Sequence, residues 1–378
     1  MKIRATFIIA ALLVFCVSHA RAGQESHEEK PYFEYVIEHI SDANEFHVFG
    51  DVHIPLPCIL YAKDRGLDVF MSSAFEHGHK VVNGYVLDHG DVKRIKGWSE
   101  NMGVHHIERT GEEEGSEARF AFSDGKAYEL ESPGHFLQPT SWIDFSITKN
   151  VFTMLLASLI LFVIFFSVRK SYEQRDGQSP KGLQSFIEPI FTFIRDEVVK
   201  PNIGHHYEKY MPFVMSLFFF VLICNLLGLI PFFPGSANVT GNLATTAALA
   251  FFTLIIVTIS GNRHYWQHIF WMPGVPVPIR FMLAPIEFAG VFIKPFTLLI
   301  RLFANITAGH VIILCLVGMV FILGDNGKNL GGVISGSFLT VAFVFIMNLL
   351  ELFVAFLQAF IFALLTSLYI GAAIEEHH

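Results

Sequence analysis

Charged side chains are scarce in this chain: Asp, Glu, Lys and Arg make up 16% of its 378 residues, against roughly 25% in an ordinary soluble domain. The 52% apolar content excludes intrinsic disorder, which requires too little apolar surface to bury. Four cysteines are too few for a disulfide scaffold, and the 29 Gly and 16 Pro follow no collagen-like period. There is no Gly-Lys-Ser/Thr phosphate loop, so the chain is not expected to hydrolyse a nucleotide by itself. A net charge of -8 argues against nucleic acid as a partner. No cofactor motif is present, and none is expected.

The charge that is present divides by position. Residues 1–22 carry three basic residues and no acidic ones. Residues 23–145 carry 10 Lys/Arg against 23 Asp/Glu, and residues 146–378 carry 13 against 11. Three regions follow: 1–22 an address, 23–145 an acidic soluble domain, 146–378 a lipid-embedded part. In the first, Lys2 and Arg4 precede the apolar run Ala5 to Val17, which ends in Ala20-Arg21-Ala22. That is the order of a secretory signal peptide. The run is too short to cross a hydrocarbon core about 30 Å thick. Bulky Phe15 before Cys16 stands against lipoprotein processing.

The domain 23–145 is therefore expected to be exported, small and β-rich. Asn83-Gly84 and Asp124-Gly125 are hairpin signals, and Gly111 to Glu117 reads as a solvated loop. Cys58 is the only cysteine between signal peptide and membrane, so no internal disulfide is expected. This region holds 10 of the 18 His, including His77, His79, His105 and His106. Imidazole is a common metal ligand, but no recognised ligand spacing is present, so no metal is assigned and the histidines read as scattered surface or core residues.

The fold class read for the whole is an all-α polytopic membrane protein with five crossings, preceded by that exported domain. Ile147 to Val168, Met211 to Phe233 and Leu243 to Ile259 are the first three crossings, and residues 171–210 read as an amphipathic interfacial helix. Segments 169–210 and 261–280 contain nine Lys/Arg, whereas the facing loops 234–242 and 324–332 contain only Lys328. Basic residues are retained in the cytoplasm, which places the N-terminal domain in the periplasm and the C-terminus inside. Val333 to Ile374 has no proline and only Glu351 as an ionisable group. At 1.5 Å per residue it would be about 63 Å long, which predicts one strongly tilted helix rather than two crossings. Phe281 to Leu323 is equally long and reads as interrupted by Pro285 and Pro295.

Glu287, Lys294, Arg301, His310 and Glu351 lie inside these two segments. Ionisable groups at that depth are costly and mark ion paths. Lys294 near one end can equally snorkel, whereas Arg301 in "LLIRLFANI" has apolar residues on both sides. In an antiparallel hairpin, level positions have a constant residue-number sum. Arg301 with Gln358 and His310 with Glu351 have nearly equal sums, centred on the polar loop "GDNGKNLGG". Both pairs are thus expected at matching depths. Glu287 precedes Arg301 by 14 residues, close to four turns, and shares its face.

At these residues the chain resembles subunit a of the F-type ATP synthases. "KPFTLLIRLFANITAGH" from Lys294 and "LQAFIFALLTSLYI" from Leu357 carry the likeness, with weaker echoes in "NLLGLIPFF" from Asn225 and "GNLATTAALA" from Gly241. The likeness covers about residues 142–378. It implies that Arg301 is the essential arginine, with Asn305 and Gln358 as polar neighbours and Glu287 as a carboxylate of the inner half-channel. Many members have Glu where this chain has His310, and His where it has Glu351. The resemblance further implies a proton-translocating stator in the bacterial inner membrane, partnered by a ring of c subunits, b-type peripheral stalk subunits and the rest of the synthase. A secondary transporter would predict paired internal repeats, of which there is no convincing sign. A receptor with a membrane anchor would leave Arg301, His310 and Glu351 unexplained. Mass spectrometry of the mature chain should give an N-terminus at Gly23; an intact Met1 would refute the signal peptide.

Overall fold

The computed structural model describes residues 42–374 except 50–51, 89, 100–101, 113–117, 135–139, 175–177, 231–232, 234, 236, 272–275 and 324–328. The signal-peptide reading of residues 1–22 falls outside the described residues.

Ten short strands precede the helices, all paired antiparallel. They are β1 (Glu45–Phe49), β2 (Val52–Pro55), β3 (Pro57–Ala62), β4 (Gly66–Met71), β5 (Tyr85–Asp88), β6 (Asp91–Ile95), β7 (Arg109–Glu112), β8 (Arg119–Ser123), β9 (Lys126–Glu131) and β10 (Trp142–Asp144). β1 and β2 form a two-stranded ribbon, β10-β3-β4 a second sheet, and β5-β6-β9-β8-β7 a third. Both hairpin signals form tight turns. Asn83 and Gly84 have φ of 55° and 86°, Asp124 and Gly125 of 49° and 71°, the pair of positive values that a two-residue turn needs to match strand twist. Asp124-Gly125 joins β8 to β9, whereas Asn83-Gly84 joins Val82 to Tyr85 through a single bridge. Gly111 and Glu112 belong to β7 rather than to a solvated loop, because Gly111 pairs with Phe120 and Glu112 with Arg119; the remainder of that run lies outside the described residues. Cys58 is buried and free.

The core of this domain is mixed: Phe75, Tyr85 and Trp142 pack with aliphatic residues in one cluster, and the buried residues of a second are aliphatic. Trp142 meets Tyr85 edge-on with ring centroids 5.4 Å apart. An ionic cluster closes one side: Asp88, with 1% of its side chain exposed, accepts from Lys93 at 2.6 Å and from Arg119 at 2.7 Å. Burial pushes the Asp88 carboxyl up, but the hydrogen bonds from Arg119 and Lys93 outweigh it and hold the group well below the usual carboxylate range.

The helical part consists of α1 (Lys149–Gln174), α2 (Leu183–Phe193), α3 (Lys200–Ile203), α4 (Tyr207–Gly228), α5 (Leu243–Ser260), α6 (Arg263–Phe270), α7 (Val277–Leu323) and α8 (Leu330–Ile374). Among the described residues, five helical stretches are long and apolar enough to cross a membrane: Lys149–Gln174, Leu183–Gly228, Leu243–Ser260, Phe281–Arg301 and Gly331–Ile374. The third crossing begins where Asn242 caps α5, its side chain accepting from the Ala244 amide at 2.9 Å. α8 runs through Asn348 without a turn, as its lack of Gly and Pro there requires. α7 also continues through both prolines. The expected interruption is absent, since each proline costs one backbone bond and hydrocarbon offers the chain no alternative partner to a helix.

Residues 183–203 depart from one simple amphipathic helix. Between α2 and α3 the turn Ile194–Val199 is a π-helix, and at Gly204 the chain breaks with φ of 71° before entering α4. The apolar face of this region is used inside the protein: Ile194, Val198, Val199 and Ile203 pack with Val214 and Phe218 of α4 and with Phe362, Ala363 and Ile370 of α8. Gly371 makes the approach close enough, because a Cβ there would collide with the Asn202 carbonyl oxygen.

Contacts divide the described chain into two compact units, one of Ser41–Thr307 with Leu352–His378, the other containing Ala308–Glu351. Within the first, β1 is seated on the helices: Phe46 meets Phe152 of α1 at 5.6 Å and Phe233 at 5.3 Å.

Replacing Asp88 by Asn should cost roughly 3 kcal/mol, because Arg119 and Lys93 lose a desolvated counter-charge. Asp88 is depressed in the folded state, so its contribution is present above an unfolded carboxylate value of about 4 and is lost as pH falls through the folded value. Thermal melts of parent and variant chains should therefore converge in strong acid; an equal gap at all pH values would contradict this.

Candidate functional site

The candidate residues lie on α7 and α8, and within the larger unit polar contacts tie both helices to α4 and the loop before α5. Asn225, buried in α4, donates from Nδ2 to the Ala355 carbonyl of α8 at 3.0 Å and accepts at Oδ1 from the Thr240 hydroxyl at 2.7 Å. The Thr307 hydroxyl of α7 donates to the Gly241 carbonyl at 3.3 Å. Gly241 is in turn held by Asn238, whose Oδ1 accepts the Gly241 amide at 2.9 Å. In an apolar surrounding a buried amide must satisfy its hydrogen bonds, and Asn225 does so only with α4, α8 and the loop in this one arrangement. Asn225, Thr240 and Thr307 carry no charge, so a search for ionisable groups passes over them. The detectable signal was one Asn inside the apolar run "LICNLLGLI".

Arg301 is half-buried on α7 and lies within electrostatic range of Tyr369 on α8. Gln358 is buried on α8. It precedes Tyr369 by 11 residues, three turns, so the two share a face. A shallow, open pocket is lined by Thr253, Leu254 and Val257 of α5, Tyr265 of α6, Val291 and Pro295 of α7, and Tyr369. Two phenols thus border one space, Tyr369 near Arg301 and Tyr265 near Glu287. Burial pushes the Tyr265 phenol up, and the Glu287 carboxylate adds to that shift. Glu287 itself is half-buried, one turn before Val291 on the same helix face.

The other unit contains Ala308–Glu351, the end of α7 and the beginning of α8. Glu351 is buried, and its Oε1 would lie 2.9 Å from a Cβ built on Gly309. A side chain at 309 would therefore occupy the space this carboxylate uses. Further along, the Thr340 hydroxyl donates to the Leu316 carbonyl at 3.0 Å, and Gly336 lies against Val320 and Leu323. These contacts are those of an antiparallel hairpin in the register read from the sequence. Glu351 meets Gly309, the residue before His310. The side chains of Asn305, His310 and Lys294 lie outside the described residues. A contact thus links Glu351 with the level of Gly309, while Arg301 acts on Tyr369 only through its charge. No described contact joins Arg301 to Gln358 directly. His79, His105 and His106 form no three-membered ligand group; the one such group among the described residues is Glu45, His53 and His77.

Among the described residues five helical stretches are long and apolar enough to cross a membrane, and Glu287, Arg301 and Glu351 lie on them; these are the features of a multi-pass membrane protein. A family model described as "ATP synthase A chain" matches residues 151–371. A second, described as a domain of unknown function (DUF8433), matches residues 35–106. "ATP synthase subunit a" of Chloroherpeton thalassium is 41% identical over 67% of this chain and 76% of its own length. "ATP synthase subunit a" of Chlorobium phaeobacteroides strain BS1 is 42% identical over 78% of this chain and 82% of its own. That of Anaeromyxobacter sp. strain Fw109-5 is 35% identical over 79% and 70%. The chain belongs to the ATP synthase subunit a family.

Replacing Asn225 by Ala should leave the Ala355 carbonyl and Thr240 hydroxyl without their partner and cost about 1–3 kcal/mol. Thermal melting of the detergent-solubilised chain measures this, and an unchanged midpoint would show that the contact does not hold α8.

Proposed function

We propose that this chain is the stator subunit of the proton channel of an F-type ATP synthase, supplying two offset half-channels to a rotating ring of c subunits. The single observation that carries the reading is the arrangement of titratable groups along α7 and α8. Glu351 is buried at the level of Gly309, Arg301 comes next along α7, and Glu287 stands beyond it beside the pocket bordered by Tyr265 and Tyr369. Family membership supports the same assignment.

In this mechanism Arg301 faces the ring carboxylates. Its guanidinium stays protonated at any physiological pH, so it stabilises a ring carboxylate only in its ionised form. A proton must leave the ring before the site passes Arg301, and it cannot jump directly from one half-channel to the other. Asn305 and Gln358 are the arginine's polar neighbours. His310 and Glu351 relay protons from the outer side, while Glu287, through the pocket, serves the inner side. α8 is strongly tilted: its 45 residues span about 68 Å at 1.5 Å per residue, over twice the hydrocarbon thickness. Residues 183–203 lie at the cytoplasmic interface. The domain of residues 23–145 is periplasmic, residues 1–22 are a cleaved signal peptide, and the C-terminus is cytoplasmic. The c ring, b-type stalk subunits, the remainder of the synthase and the bilayer are the partners.

Arg301→Ala should abolish ATP synthesis driven by a proton gradient in reconstituted vesicles, and normal coupled synthesis would falsify the assigned role. Gly309→Ala should leave folding nearly intact, since the end of a flexible side chain can move, yet displace the Glu351 carboxylate and slow proton flux. Exchange of the outer pair offers a sharper test. His310→Glu and Glu351→His should each impair proton-driven synthesis, and the double exchange should restore part of it. A double variant no better than either single one would count against a shared relay.

A further inference from the structure

A second site lies in the N-terminal domain, outside the helices of the channel and independent of that reading. Glu45 on β1, His53 on β2 and His77 in the 3-10 segment Ser72–Gly78 bring one ligand atom each to within 4.8 Å of one another. The His53 Nδ1 is 3.2 Å from Glu45 Oε1, and the His77 Nδ1 is 3.9 Å from Glu45 Oε2. In a tetrahedral site with bonds of 2.0–2.1 Å the ligand atoms stand about 3.3 Å apart, so His53 and Glu45 are already at that spacing and the exposed His77 side chain would have to move inward. The two imidazole rings meet at 4.5 Å with a 50° tilt, converging rather than stacked flat.

We propose that Glu45, His53 and His77 form a binding site for a divalent transition-metal ion of the zinc class, with a fourth position open to water. The donor set is the reason for the class. Two imidazoles and one carboxylate suit Zn²⁺, whereas Ca²⁺ and Mg²⁺ take oxygen and Cu(I) takes sulfur. The open position follows from exposure: the His77 side chain is 56% exposed, the Glu45 side chain only 16%.

Two of the three ligands come from the β1–β2 ribbon and the third from the separate 3-10 segment. In the β1–β2 pairing Glu45 lies opposite Pro55 and Phe46 opposite Ile54. Alternation along a strand therefore puts Glu45 and His53 on one face and Phe46 and Ile54 on the other. Phe46 and Ile54 pack with Phe152 of α1 and with Leu227, Ala237 and Val239 of α4 and its following loop. His77 reaches the opposite face from a segment whose residues Glu76 and His77 have φ of 48° and 58°, a left-handed conformation that non-glycine residues rarely adopt. A bound ion would join that segment to the ribbon seated on the helices. The domain has no disulfide to make such a link, Cys58 being free. The simpler alternative is an ion pair between Glu45 and protonated His53, with His77 incidental. It predicts no stoichiometric metal.

The test uses the purified full-length chain in detergent, stripped with chelator and titrated with Co²⁺ as a spectroscopic probe. One Co²⁺ per chain is expected, with the visible bands of a tetrahedral site that Zn²⁺ displaces. His53→Ala and His77→Ala should each weaken binding by more than the roughly 10–100-fold typical of losing an outer-shell partner. A His79→Ala/His106→Ala double variant should bind as the parent does. Metal should raise the melting temperature of the parent but not that of His77→Ala, whose metal-free melting temperature should match the parent's. Absence of stoichiometric Co²⁺ binding, or its retention in the His53 and His77 variants, would overturn the proposal. A His77→Gln variant that folds normally but binds no Co²⁺ would support it.

Discussion

Hydrocarbon does not solvate charge, and the placement of a few ionisable groups among apolar helices is the constraint on which the membrane part depends. Glu351 is accommodated where Gly309 has no side chain. A larger residue at 309 would take the space of the carboxylate. The same need explains why α7 and α8 remain unbroken over 47 and 45 residues: every backbone amide within the bilayer must find its partner inside the helix. Continuity of the helix and burial of the acid have one cause, the absence of water.

Polar contacts without charge then determine which face of each helix looks inward. Asn225 ties α4 to the carbonyl of Ala355 and to Thr240, and Thr307 ties α7 to Gly241. Apolar packing alone would define this poorly, because lipid tails are as favourable a neighbour to Leu or Phe as another helix is. At the opposite end of α8, Gly371 admits the Asn202 carbonyl, so the helix is held by directional contacts in its middle and by steric fit at its end. The π-turn at Ile194–Val199 directs Ile194, Val198 and Val199 into the same core.

Different parts of this architecture were legible to different degrees. Apolar runs, the charge division at residue 146 and the two Gly-containing hairpin turns are local properties, and they foretold the crossings and the strand-rich domain. The hairpin register was also legible, since two ionisable or amide pairs had nearly the same number sum; the contacts of Glu351 with Gly309 and of Thr340 with Leu316 agree with it. Pro285 and Pro295 misled, because a proline signals a break in water but not necessarily in hydrocarbon. Glu45, His53 and His77 were not recognisable as a group: their spacings of eight and 24 residues match no ligand pattern, and only the β1–β2 pairing and the kink at Glu76 bring them together.

The sequence by itself determined which stretches are apolar enough to cross a membrane and which titratable residues those stretches contain, because hydropathy and charge are sums over neighbouring residues. Tertiary structure alone decided which of those residues meet. The pocket between the two phenols, the anchoring of α8 through Asn225 and the convergence of Glu45 with two imidazoles all depend on contacts between distant segments. Such contacts are settled by packing and by the need of each buried polar group for a partner, and neither leaves a fixed spacing in the chain.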